Sequence, residues 1–117
     1  MIMSRSNRID VSAIITLIKY FDYEMLDDAA WDDLREIDPS DEEQMLNIFN
    51  KITVPEFEDM DRHSQELIES TLYGILSSSE FDYQRILGAV EMPFEPIEEP
   101  KRFFSLLWFA LFKKRFG

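Results

Sequence analysis

The chain has 117 residues, with 24 Asp and Glu against 12 Lys and Arg, one His, no Cys and a net charge of −12. The length suits one domain of ~100–150 residues, large enough to hold a core without covalent staples. Lack of Cys excludes disulfides, thiol catalysis and Cys-ligated zinc or iron–sulfur sites, and the charge argues against general nucleic-acid binding, where Lys and Arg must answer the phosphates.

The N-terminus carries Arg5 and Arg8, and Met1 and Met3 are both candidate starts. The apolar stretch that follows is interrupted by Asp10 and Lys19 and lacks a small-residue cleavage site, so it is a poor signal peptide. A cytoplasmic protein is the expectation. Val11, Ile14, Ile15, Ile18 and Phe21 repeat with the spacing of one helical face, and Asp10 can cap that helix. A second helix is predicted from about Glu24 to Ile37, with Leu26, Ala30, Leu34 and Ile37 on its apolar stripe. Pro39 ends it, because the residue before a proline is pushed out of the α region.

Ser40 with Glu43 reads as a capping box. It opens a third helix whose buried face is Met45, Leu46, Phe49 and Ile52. Pro55 is expected to end that helix, and Lys51–Val54 leaves at most a short, weak strand. Asp59 or Asp61 can start a fourth helix on the stripe Leu67, Ile68, Leu72 and Ile75, broken at Gly74 and the serines 77–79. Ser79 and Asp82 resemble another capping pair for a fifth, through Phe81, Ile86, Leu87 and Val90.

Pro93, Pro96 and Pro100 make residues 91–100 an extended connector. Pro100 suits the first position of a last helix. There Phe103, Phe104, Leu107, Trp108, Leu111 and Phe112 form an apolar band that Leu106 and Phe109 widen. Such a helix belongs in the middle of a bundle or at an interface, so a homodimer stays open. The ten residues Phe103–Phe112 are too few to cross a bilayer, which takes ~20. Lys113, Lys114 and Arg115 favour the negative end of the helix dipole. A membrane-surface anchor is the competing reading, but the band lacks a polar face. The expected fold is all-α: a compact bundle of five or six short helices spanning 1–117.

No catalytic motif is present. His63 lies near Asp59, Asp61 and Glu66, but no second His and no HExxH or EF-hand spacing accompanies it. It reads as a solvated residue at a helix start, and no cofactor or metal is expected. The carboxylates are abundant but not visibly paired for acid–base work. The sequence therefore points away from an enzyme.

Charge distribution is more informative. From Asp22 to Glu43 there are 11 acidic residues and one basic residue, Arg35. Glu24, Asp28, Asp32 and Glu36 recur at i, i+4 and so share a face. Like charges at that spacing cost ~0.2–0.5 kcal/mol per pair. Asp27 adjoins the row. Trp31 lies about 100° from the centre of the apolar stripe, where it is either the rim of the core or a binding hot spot. A second cluster, Glu56, Glu58, Asp59 and Asp61, lies in the loop expected after Pro55, and Glu91, Glu95, Glu98 and Glu99 follow in the connector. A solvated face is the ordinary meaning of such runs. The excess here is larger than solubility needs, since a magnitude of ~2–8 suffices for a small domain. It would steer a basic partner.

In size, charge and helical pattern over the whole chain, the sequence resembles the immunity proteins that bacteria carry beside polymorphic toxins, including those of contact-dependent growth inhibition. Phe49–Phe57 and Phe103–Phe112 are its most distinctive segments. The resemblance implies an antitoxin that binds a cognate protein toxin, commonly a basic nuclease domain, and occludes its active site or substrate groove, with carboxylates standing in for phosphates. It carries over no binding residue. Two other readings stand beside it: an acidic adaptor or nucleic-acid mimic that inhibits a host DNA- or RNA-binding protein, and a metal protein or enzyme using the Asp59–Glu66 region.

Overall fold

The computed structural model describes residues 10–21, 28–90 and 97–115, apart from the side chains of Ala30 and Trp31. Among them there is no strand, and the fold is all-α. Helix α1 (Val11–Ile18) tightens into a 3₁₀ turn (Lys19–Phe21). Then come α2 (Asp28–Arg35), α3 (Glu42–Ile48), a π-helical turn (Phe49–Thr53), α4 (Val54–Glu58), α5 (Arg62–Ser77), the single turn α6 (Gln84–Leu87) and α7 (Pro100–Phe112). Because α3, the π turn and α4 run on without a break, the described residues form six helical rods.

Local chemistry explains most boundaries. The Asp10 carboxylate accepts from the Ser12 backbone N–H at 3.1 Å, as a cap should. Asp10 also donates its own N–H to Thr71 Oγ1 at 3.0 Å, tying the start of α1 to the middle of α5. The cap of α3 is one residue later than expected. Asp41 takes the position, accepting from Gln44 N at 3.1 Å and from Gln44 Nε2 at 3.2 Å. Ser40 turns back to Asp38, donating its N–H (2.9 Å) and hydroxyl (2.7 Å) to Asp38 Oδ1. A carboxylate competes well for this place because a charged acceptor makes the stronger hydrogen bond.

Pro55 does not end the third helix, contrary to the sequence pattern, and no strand forms at Lys51–Val54. A proline inside an α-helix clashes with the carbonyl four residues back. Here the turn widens first: Val54 donates its N–H five residues back, to Phe49 O. Pro55 then falls in the first turn of α4, where a missing N–H costs little. Gly74 does not interrupt α5 either, which runs on to Ser77. Ser79 caps no helix among the described residues; Asp82 Oδ1 accepts from Gln84 N at 3.0 Å in the turn that leads into α6. That helix is one turn long, so the fifth predicted helix is mostly irregular. Pro100 does open α7.

The core is organised around α7, where Phe103, Phe104, Leu106, Leu107, Trp108, Ala110 and Leu111 are buried. Helices α3, α4 and α5 and the π turn pack on it, so other parts of the same chain cover the apolar band. Helix α1 packs on α5 and α6, burying Ile14, Leu17 and Ile18. Phe49 joins the parts. Its ring meets Phe103 at 5.3 Å and Phe21 at 5.9 Å, both edge-to-face. Aromatic pairs of this geometry add ~0.5–1.5 kcal/mol beyond burial. Tyr83 stacks on Phe104 at 5.4 Å and donates to Ile75 O at 3.3 Å, holding the irregular segment down. No described helix is long and apolar enough to cross a membrane.

Candidate anionic interface

Helix α2 shows how the first acidic group is presented. Leu34 is buried and Ile37 packs partly against the core, while Asp28, Asp32, Asp33 and Glu36 are exposed. Asp28 and Asp32 are one turn apart on the helix, but Glu36 sits in the turn beyond its end. The expected four-membered row is therefore shorter at this end. Glu24 and Asp27 lie outside the described residues, as do Leu26 and Glu91 and Glu95 of the connector. Trp31 is on α2, but the two readings of its side chain also fall outside what is described.

The second group is not in a loop as expected: Glu56 and Glu58 lie on α4, because Pro55 falls in its first turn, and Asp59 and Asp61 lie in the turn to α5. Two of its members have structural work. Asp61 caps α5, accepting from Ser64 N at 2.8 Å. Bonds from the Ser64 backbone and side chain, with the nearby His63, hold its carboxyl below the usual range. Glu56 lies beside the Tyr20 phenol, and its charge, followed by burial and the charge of Asp59, raises that phenol above its ordinary value. Glu58 and Asp59 are exposed. His63 is exposed near the start of α5, and among the described residues no group of three or more His, Asp or Glu converges to hold a metal ion.

Several cations are already engaged within the chain. Glu42 lies 3.4 Å from Arg102 and 3.8 Å from Arg115. Arg102 also reaches Glu99 at 3.7 Å. Arg115 sits over the Phe109 ring at 5.0 Å, Lys114 over Trp108 at 5.9 Å and Arg85 over Phe81 at 5.5 Å. Lys113 closes α7 in a left-handed conformation (φ 60°) and donates Nζ to Ala110 O at 2.8 Å, the dipole-capping role expected of the basic tail. These pairings leave the carboxylates of α2 and of the α4–α5 turn facing solvent.

Two clefts adjoin these groups. One of about 180 Å³ is bounded by Asp38, Ser40, Glu98, Glu99, Arg102 and Phe103, among others. The other, about 490 Å³, lies where α4, α5 and α7 meet, with Phe57 and Phe112 beside Gln65, Glu66 and Glu69. Sequence reading missed this second cleft. Arg62, Glu66 and Glu69 follow one another at helical spacing, which is a visible signal, but the approach of Phe112 depends on the fold. Comparisons with protein-family models, with curated proteins and with solved structures return no match.

Proposed function

We propose that this chain is an immunity-type binding protein that neutralises a cognate protein toxin, a basic nuclease domain of the kind used in contact-dependent growth inhibition. It would act in the cytoplasm by covering the toxin's active site or substrate groove with anionic surface, making and breaking no covalent bonds. The observation that carries this reading is the exposure of every described carboxylate on α2, on a helix anchored by Leu34. A net charge of −12 spread over such faces accelerates encounter with a cationic protein and aligns it.

The test is co-expression with the product of the adjacent reading frame, followed by co-purification and stopped-flow association. Capture of a toxic basic domain supports the reading. Capture of a host polymerase or repressor in its place overturns it in favour of a nucleic-acid mimic. Reversing Asp28, Asp32 and Glu36 to Lys should slow association and flatten its salt dependence while leaving the fold intact. Unchanged kinetics would remove α2 from the interface.

A further inference from the structure

We propose that the cleft between α4, α5 and α7 receives an arginine side chain from the basic partner. This rests on the reading above and names a contact point that the two acidic clusters do not include. Phe57 and Phe112 meet edge-to-face at 5.5 Å with their planes 89° apart. Phe57 is buried and Phe112 half-buried, so Phe112 offers aromatic surface to the cleft. Glu66 and Glu69 stand on α5 along the rim. A guanidinium is planar, stacks on aromatic rings and bonds carboxylates through a rigid fork, whereas an ammonium is a strongly hydrated point charge. An aromatic wall beside carboxylates therefore selects arginine over lysine.

The molecule already contains an internal version of this contact. Arg62 Nε lies 3.1 Å from Glu66 Oε2, and the Arg62 side chain is 90% exposed. An exposed ion pair one turn apart is weak and screened by salt. Arg62, itself at the edge of the cleft, thus holds the rim carboxylate only weakly, and an incoming guanidinium with aromatic contact can displace it. The same chain sets Arg115 over Phe109 and Arg85 over Phe81, so guanidinium–phenyl packing is stable in this context. The Gln65 amide donates to Phe57 O at 2.9 Å and ties the end of α4 to α5 beside the cleft.

The experiment is an ¹⁵N–¹H correlation titration of the full chain with a hexa-arginine peptide, repeated with hexa-lysine. The expected result is shifts centred on Gln65, Glu66, Glu69 and Phe112, with weaker binding of hexa-lysine. Glu66→Gln with Glu69→Gln should weaken hexa-arginine at least ~tenfold, by removing charge-assisted bonds. Arg62→Ala should strengthen it, and Phe112→Leu, which keeps most of the apolar volume, should weaken it several-fold. Shifts confined to α2 would overturn the cleft while sparing the charge-based reading. Absence of shifts anywhere would overturn both. Undiminished affinity in the double Gln variant, or equal affinity for the two peptides, would also overturn the arginine site.

Discussion

Helices α7 and α2 divide the work of this molecule between them. Helix α7 buries seven residues and draws three other helices onto itself, and its Arg102 pairs with Glu42 of α3. Helix α2 is similarly regular and buries Leu34, with its described carboxylates in solvent. Stability is concentrated where the chain is apolar on all sides. The described carboxylates of α2 stay at the surface, where the proposed recognition would use them. An anionic helix that buried more of itself would present less charge, and one that buried less would not hold its orientation.

The sharpest way to break this division is to cut into α7. Leu107→Ala should cost ~2–5 kcal/mol, read from urea denaturation, because it opens a cavity at a fully buried position of the helix on which α3, α4, α5 and the π turn pack. A cost under ~1 kcal/mol, the size expected of a surface change, would show that α7 is not the organising centre.

Two buried threonines refine the picture with one substitution of opposite sign. Thr71 Oγ1 accepts the Asp10 N–H, so Thr71→Val strands a donor at the start of α1 and should destabilise by ~1–3 kcal/mol. Thr53 Oγ1 is buried in the π turn with no hydrogen-bond partner among the described residues. Thr53→Val removes that unsatisfied hydroxyl and should stabilise by ~1 kcal/mol. Equal effects of the two variants would mean that the hydroxyl environments are not distinct. Asp10→Ala, which removes a helix cap, should cost ~0.5–2 kcal/mol.

Acid titration probes the polar side of the comparison with a smaller effect. Hydrogen bonds from Ser40 lower the Asp38 carboxyl, and those from Ser64, followed by the charge of His63, lower that of Asp61. A depressed folded-state value means that the unfolded chain binds protons first. The stabilisation is therefore complete above the unfolded value near ~3.9 and is lost as pH falls through the folded one. Urea midpoints measured downward from pH 6 should hold until about pH 4 and then decline. Smallest of all should be the triple reversal of Asp28, Asp32 and Glu36, within about ±0.5 kcal/mol of the parent in stability despite its large effect on association.

Much of this was legible in the chain. Apolar spacing located most of the buried faces of α1 and α7, because a 3.6-residue period gathers apolar residues on one side, but it missed the fully buried Leu17 and took the half-buried Val11 and Ile15 as core. Asp10 and Pro100 marked their starts, and Asp61, one of two candidates with Asp59, marked that of α5, for equally local reasons. Charge is additive along a sequence, so both acidic groups could be located by counting. What sequence could not decide was anything that depends on where distant segments meet. Pro55 looked like a stop until the π turn shifted the register of the preceding carbonyls. Glu56 looked like free surface charge until Tyr20, from another helix, came within its reach. The cleft of Phe57, Glu66, Glu69 and Phe112 exists only because α7 lies across α4 and α5. Side-chain type is set residue by residue, but a site is a set of distances, and those are fixed by packing that no single segment contains.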